Sequence, residues 1–326
     1  MNIEMIHAAA QRIDGAVRET PMLWSPFIDK IAGRRVLLKA ECLQHTGSFK
    51  YRGGRSAVSA LVAGGDATGV IAYSSGNHAQ GVARAATEHG LPSVIVMPSD
   101  APKLKIDNTR ALGAEVVLYD RATEDRDEIG ARIAGERGLT LVKPFNDPHV
   151  IAGQGTTGLE IARQARAMGV AEADVLVCCG GGGLTSGIAL ALEAEAPNLR
   201  PRPVEPEGFD DVARSLVSGR IEHNGRTSGS LCDAILTNGP GDLTLPIMHR
   251  LCGPGLVVQE DDCLRAMVVA FAHLKTVLEP GGAIALAAAL YHGDALEGDT
   301  VIALLSGGNV DPAVFGMALD RFGDSI

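Results

Sequence analysis

The chain lacks most of the features that assign a protein at a glance. Its six cysteines, Cys42, Cys178, Cys179, Cys232, Cys252 and Cys263, include no CxxC spacing, and the one close pair is adjacent. That argues against a zinc site and a disulfide framework, so a reducing compartment is expected. Positive charge is in deficit: 29 Lys and Arg stand against 39 Asp and Glu, a formal net charge of −10. With no general positive field to draw phosphates in, neither nucleic acid nor an anionic membrane is expected as a partner. No uninterrupted apolar run approaches the ~18 residues of a membrane span. The segment Met1–Asp14 carries charges every few residues and lacks the apolar core of a signal peptide, so a cytoplasmic location is expected. Aromatic residues are scarce at 4 %, yet 46 % hydrophobic and 21 % charged residues make an ordinary globular balance and exclude bulk disorder. A chain of 326 residues holds one large or two modest domains.

Glycine is what the chain has in abundance, at 40 residues, and it clusters after short apolar runs. Val70–Tyr73 precedes Ser74-Ser75-Gly76-Asn77, Ser93–Met97 precedes Pro98, Val175–Cys178 precedes Gly180–Gly183, and Val301–Leu305 precedes Ser306-Gly307-Gly308-Asn309. Between them run Ala- and Leu-rich segments of helical period: Gly155–Met168, Leu184–Ala196 and Leu264–Val277. Strands alternating with helices predict βαβ units and an α/β fold with a mostly parallel sheet. Ligands of such sheets gather at the carboxyl ends of the strands, where these clusters sit. Two lobes are expected, and Asp147-Pro148, after a short strand Leu139–Val142, is a candidate crossing between them.

Four constellations carry candidate chemistry. In Thr46-Gly47-Ser48-Phe49-Lys50, the lysine opens a predicted helix, Lys50–Ala63. Most lysines at such positions are solvated. Here, however, a cation in the first turn opposes the helix dipole, and Phe49 beside it is an odd choice for a wet turn. Both features suit a partly buried, covalently engaged amine, because burial lowers an amine's pKa and makes it a usable nucleophile. Gly180-Gly181-Gly182-Gly183 lies between a strand and a helix and reads as an anion seat built from backbone amides. Leu184-Thr185 stands where a nucleotide P-loop needs Lys-Ser/Thr, and Ser186 where a dinucleotide fingerprint needs its third glycine. Glu205 lies about 20 residues further on, where a ribose-binding acid would sit, but with that glycine missing it reads as a decoy. Ser74-Ser75-Gly76-Asn77-His78 reads either as an ordinary helix cap or as a cap whose amides face a carboxylate. Ser306-Gly307-Gly308-Asn309 is either a tight turn or a hydroxyl placed beside a ligand ring.

Taken in order, these four motifs resemble the fold-type II pyridoxal-phosphate enzymes, most closely the threonine/serine dehydratases (threonine ammonia-lyases) and serine racemases. The resemblance runs from about Thr20-Pro21 to Val310-Asp311 and includes Ile151-Ala152-Gly153-Gln154-Gly155-Thr156 and Leu278-Glu279-Pro280-Gly281-Gly282-Ala283. It implies a two-lobed α/β fold of the tryptophan synthase beta type, each lobe a mostly parallel twisted sheet flanked by helices. Residues 1–48 plus 146–326 would form the large cofactor-binding domain and 49–145 the small one. It implies pyridoxal 5′-phosphate as cofactor, a small amino acid as substrate and a homodimer. Lys50 would be bonded to the cofactor and Phe49 would pack near its ring. Asn77 would meet the ring 3-hydroxyl and Ser306 the pyridine nitrogen. Gly180, Gly181, Gly182 and Gly183 would hold the phosphate. Ser74, Ser75 and His78 would line the substrate carboxylate pocket. Glu205, the Phe209 carbonyl and Asp211 would form a cation site whose oxygen donors suit Mg²⁺ or Ca²⁺. Cys42 departs from the family, which usually has Asn there.

The resemblance implies α,β-elimination from a β-hydroxy amino acid, with L-threonine and L-serine as default substrates. Lys50 would act as the base at Cα. Ser75, on the opposite ring face, would return a proton if the enzyme also racemises. Arg132 is either a solvated helix arginine or the partner of a second carboxylate, as 3-hydroxyaspartate would supply. Other readings are β-replacement and a non-catalytic binding protein. Because the chain stops soon after Ser306-Gly307-Gly308-Asn309, no C-terminal regulatory domain is expected, and a catabolic or unregulated role follows.

Overall fold

The chain's glycine-punctuated strands sort into two separate sheets in the computed structural model, which describes residues 1–325 apart from Asp66, Ser75, Pro102, Arg121 and Thr227. The strands are β1 (Met22–Trp24), β2 (Arg35–Lys39), β3 (Val70–Tyr73), β4 (Ser93–Pro98), β5 (Glu115–Tyr119), β6 (Thr140–Leu141), β7 (Ala173–Cys178), β8 (Leu199–Pro206), β9 (Leu256–Val258) and β10 (Thr300–Leu304). The larger sheet has the order β1-β2-β10-β7-β8-β9 and the smaller the order β5-β4-β3-β6. All pairings are parallel except β1 with β2. In the large sheet Ile302 is in register with Leu37 and Val175. In the small sheet Ile71 is in register with Val94 and Leu141.

The central strands are buried on both faces. Every residue of β4 and β7 is buried, which explains their continuous rather than alternating apolar pattern. The helix Pro280–Tyr291 is apolar all round and buried from Pro280 to Leu290, so it lies inside the large core against β7 and β10 instead of on its surface. A long helix, Pro148–Ala167, packs against both Lys50–Ala63 and Gly183–Glu195 and so joins the reactive-lysine segment to the glycine loop.

Local chemistry sets the element ends. Strand Val70–Tyr73 and helix Lys50–Ala63 have the bounds expected from the sequence. The helix expected from Gly155 begins earlier, at Pro148. There the Asp147 carboxylate accepts from the amides of His149 (2.8 Å) and Val150 (3.0 Å), and proline presets the first helical φ. Asp147-Pro148 is thus a helix cap lying just after the chain has left the small sheet. The helix expected over Leu264–Val277 spans Glu260–Leu274 instead. Glu260, Asp261 and Asp262 favour its N-terminus through the dipole, and Lys275, at φ 59, ends it.

Two connections link the sheets: one runs from β2 into the lysine helix, the other from β6 into the long helix. The first is stitched to the end of β10. Cys42 N donates to Leu305 O (2.7 Å), Phe49 N to Ser306 O (3.1 Å) and Gly308 N to Gly47 O (2.9 Å). These bonds place Phe49-Lys50 beside Ser306, more than 250 residues away in sequence.

Candidate active site

A cavity of about 1260 Å³ opens at the carboxyl ends of the strands, between the two sheets. Phe49, Lys50, Ser74, Asn77, His78 and all of Gly180–Gly183 line it, together with Glu279. Three of the four sequence motifs therefore meet in one place, while the fourth, Ser306-Gly307-Gly308-Asn309, lies beside the cavity and reaches it through the bond from Asn309 to Asn77. Ser75 lies outside the described residues.

Lys50 faces this cavity, with its Nζ donating to the Pro144 carbonyl (3.0 Å) and lying 5.1 Å from the centre of the Phe49 ring. Burial pulls the amine from its ordinary 10.5 down to about 8, against a smaller upward pull from Cys178 and Glu279. At neutral pH roughly a tenth of such amines are unprotonated, against fewer than one in a thousand for an exposed lysine.

His78 follows Asn77 in the first turn of the helix Asn77–Glu88. Its Nε2 bonds the Val142 carbonyl (2.8 Å), and burial first, then the Lys50 charge, push it down to about 3. It is therefore neutral near pH 7. With Nε2 as the donor to Val142, the buried Nδ1, which has no partner, is an acceptor. Ser74 Oγ accepts from Gly76 N (3.2 Å) and shapes the turn into this helix.

The glycine loop closes the far side of the cavity. Gly182, at φ 87, takes a left-handed turn that opens the helix Gly183–Glu195. A Cβ on Gly181 would fall 2.3 Å from the Phe145 ring, so the loop backbone lies directly on that ring. The Gly181 carbonyl is tied back by Thr244 Oγ1 (2.6 Å) and Gly241 N (3.2 Å). The first amides of a helix have no partners within it, so they point at whatever lies ahead. Thr185 Oγ1, buried in that first turn, finds no hydrogen-bond partner beyond the weak thiol of Cys179. Bare backbone, free amides and an unengaged hydroxyl fit a phosphate.

Ser306 is buried at the end of β10 beside Cys178, whose thiol burial pushes up to about 11. Burial likewise pushes the Cys42 thiol up to about 12. Neither thiol is ionised near neutrality, so neither competes with Lys50 as a nucleophile.

Glu205, Phe209 and Asp211 do not line the cavity. The Glu205 carboxylate accepts from Val212 N (2.8 Å) and Ala213 N (2.7 Å), capping the helix Asp211–Ser218. Burial and then the Asp211 charge push Glu205 well above the usual carboxylate range. Asp211 accepts from Asn224 Nδ2 (2.5 Å), keeps a buried Oδ2 without a partner, and is pushed by burial to about 6. Among the described residues, no group of three or more His, Cys, Asp or Glu side chains gathers around a metal-sized space. Arg132 is also away from the cavity, with its guanidinium 3.4 Å from the Glu136 carboxylate on an exposed helix face. Arg126, on the same helix, lines the cavity instead, as do Lys105 and Lys143.

Sequence reasoning missed Phe145 and the Pro144 carbonyl, and it quoted Glu279 without giving it a role. Lys143-Pro144-Phe145 follows a strand, the same signal that picked out the other loops. The pairing of Asn77 with Glu279, 202 positions apart, has no local signal.

A family model described as pyridoxal-phosphate dependent enzyme matches residues 13–307. An L-threo-3-hydroxyaspartate ammonia-lyase of Pseudomonas sp is 40% identical over 303 residues, covering 93% of each chain. The crystal structure of T.th. threonine deaminase superposes with a TM-score of 0.90 at 44% identity, covering 95% of this chain and 99% of that one. Maize serine racemase gives a TM-score of 0.89 at 34% identity over 99% and 98% of the two chains.

Proposed function

The chain belongs to the pyridoxal-phosphate dependent enzymes, and we propose that within them it is an ammonia-lyase converting L-threonine and L-serine to 2-oxo acids and ammonia. The observation that carries this reading is the Lys50 amine, depressed to about 8, in the same cavity as the bare glycine loop, with Ser306 at the end of the adjoining strand.

The residues divide the work by their chemistry. Lys50 would hold the cofactor covalently, and its amine, when free, would be the base for the proton on the substrate Cα. Gly180–Gly183 and the helix behind them receive the phosphate through backbone N–H groups. Asn77 would meet the ring hydroxyl. Ser306 would offer the ring nitrogen a neutral hydroxyl, which does not hold a proton there as a carboxylate would. When bound, pyridoxal phosphate supplies an electron sink for negative charge at Cα. A hydroxyl in place of a carboxylate at the ring nitrogen would make that sink modest and so favour elimination over a long-lived carbanion. The released enamine hydrolyses to the 2-oxo acid and ammonia. The substrate carboxylate lies at the N-terminus of the helix Asn77–Glu88, where amides and the neutral His78 face it. Ser74 lines that pocket, and Ser75 is the residue to change in a test for racemisation.

A second reading, 3-hydroxyaspartate as substrate, is favoured by the 40% identical relative of that activity and by Lys105, Arg126 and Lys143 around the cavity, which suit a second carboxylate. Glu205, the Phe209 carbonyl and Asp211 remain the proposed cation site. The homodimer, the cytoplasmic location and the two-domain division belong to the same proposal.

Assays of 2-oxo acid and ammonia across L-threonine, L-serine and both 3-hydroxyaspartate diastereomers test it. Threonine or serine should give the highest kcat/KM. Preference for 3-hydroxyaspartate installs the second reading, and a cofactor-loaded protein inert to all four sinks both.

A further inference from the structure

The cavity holds one buried carboxyl that the reaction as described does not use. Glu279 is 3 % exposed and precedes the helix Pro280–Tyr291 as its N-cap. Its Oε1 accepts from Asn77 Nδ2 at 2.6 Å. Asn77 Oδ1 in turn accepts from Asn309 Nδ2 (2.7 Å), which also donates to the Thr46 carbonyl (2.7 Å). This chain fixes the carboxamide of Asn77. A main-chain carbonyl can only accept, so the Asn309 amide must present its nitrogen to Thr46. The oxygen of Asn77 then faces Asn309, and its nitrogen faces Glu279. One of the two Asn77 N–H bonds is spent on Glu279, and the other is left for a ligand oxygen. Gly307 leaves room for the carboxylate, because a Cβ there would meet Glu279 Oε1 at 2.1 Å.

We propose that Glu279 is the positioning residue of the site: its carboxylate orients Asn77 toward the cofactor's ring oxygen, and its charge keeps the proton on the Lys50 nitrogen. This rests on the reading that Asn77 meets the ring hydroxyl. The second half follows from placement. Glu279 faces Lys50 from the helix Lys50–Ala63, Lys105 from the helix Lys103–Ala111, Asp233 from the short helix Asp233–Ile235, Cys178 from β7 and Cys42. Both thiols are uncharged near neutrality, so Lys50, Lys105 and Asp233 are the charges that count. Burial first, then Asp233, pushes the Glu279 carboxyl up to about 7, against Asn77, Lys105 and Lys50. Glu279 in turn raises Lys50.

Glu279→Gln tests this. An amide oxygen still accepts from Asn77, while the negative charge is gone. The readout is the visible absorbance of the lysine-bound cofactor, titrated against pH in the holoenzyme without substrate. The midpoint for loss of the proton should fall by on the order of one pH unit in Glu279→Gln and return toward the parent value in Glu279→Asp. A midpoint that is unmoved or raised overturns the proposal. Should Glu279→Gln fail to fold, carbon NMR of the parent holoenzyme with carboxyl-labelled glutamate decides. One glutamate titrating near neutral pH, and absent from the spectrum of Glu279→Asp, supports the proposal; its absence overturns it. A parent protein with no visible band would overturn the cofactor reading itself, whereas a normal band indifferent to residue 279 overturns only this inference.

Discussion

Lys50 and Arg52 lie two positions apart on one helix, and both are removed from water, yet their surroundings are opposite. Arg52 is fully buried in a set of matched charges. Its guanidinium bonds Glu41 through Nε (2.8 Å) and Glu160 through both terminal nitrogens (2.7 and 2.9 Å), and it also reaches Thr156 Oγ1 and the Arg18 carbonyl. Lys39 completes the cluster through Glu160 (2.5 Å), the Thr20 carbonyl (2.7 Å) and Gln164 (3.0 Å). Two cations and two carboxylates cancel. Burial would raise Glu41, but Arg52 and Lys39 hold it below its usual value. Lys50, by contrast, has the Pro144 carbonyl as its one hydrogen-bond partner among the described residues, and burial dominates its titration. Burial with full pairing immobilises protons, while burial with incomplete pairing leaves them free to move. The first kind of site holds the helix in place, and the second uses what the helix presents.

The largest test of this contrast is Lys50→Ala. Turnover of L-threonine should fall by about three orders of magnitude or more, with the visible cofactor band lost and urea stability little changed. A mutant that keeps its rate removes the mechanism. Arg52→Met should do the reverse. It strands two buried carboxylates and should cost about 3–5 kcal/mol in urea unfolding, with activity falling only as the folded fraction falls. Equal stability with lost catalysis would erase the distinction.

A third test uses the pH dependence of the apoprotein's stability. Glu279 is raised in the folded state from 4.5 to about 7, so the fold binds its proton more tightly than the unfolded chain does. Its contribution is present below the unfolded value and is lost as pH rises through about 7, by roughly 3 kcal/mol. Lys50 is lowered from 10.5 to about 8, so the penalty of burying its charge is relieved as pH rises from about 8 toward 10.5. Glu41 has the opposite sign to Glu279. Its stabilising contribution is present above the unfolded carboxylate value and is lost as pH falls through its depressed folded value. Urea midpoints of Glu279→Gln and Lys50→Met across pH should each lose one of these slopes. If both mutants keep the parent profile, the charges of the cavity are not the labile ones.

The smallest expected effect comes from Lys105→Ala. Its ion pair with Asp233 (2.9 Å) crosses the cavity mouth, and Asp233 is largely exposed, so removal should cost no more than about 1 kcal/mol in stability. Its influence should appear in the ratio of kcat/KM for 3-hydroxyaspartate to that for serine, which should fall. A ratio that stays constant would take Lys105 out of substrate choice.

Much of this site is legible in the sequence because parallel sheets put their strand ends together. Ser74, Gly76, Asn77 and His78, like Gly180–Gly183, follow an apolar run and line the cavity, and Ser306–Asn309 follows β10 and meets Asn77 and the lysine loop. What was not legible depends on distant pairing. Nothing near Arg52 announces that Glu160, 108 positions away, will neutralise it. Of the two readings the sequence allows for Arg132, the structure bears out the solvated one: the helical period carries it to solvent and turns Arg126, which the sequence did not single out, toward the cavity. Helix starts failed where a cap, such as Asp147, outranked the apolar pattern.

The bond from Lys50 Nζ to the carbonyl of Pro144 also has a mechanical consequence. The polypeptide passes between the two sheets twice, and this contact straps the outgoing stretch of chain to the returning one. The strap is the reactive nitrogen itself.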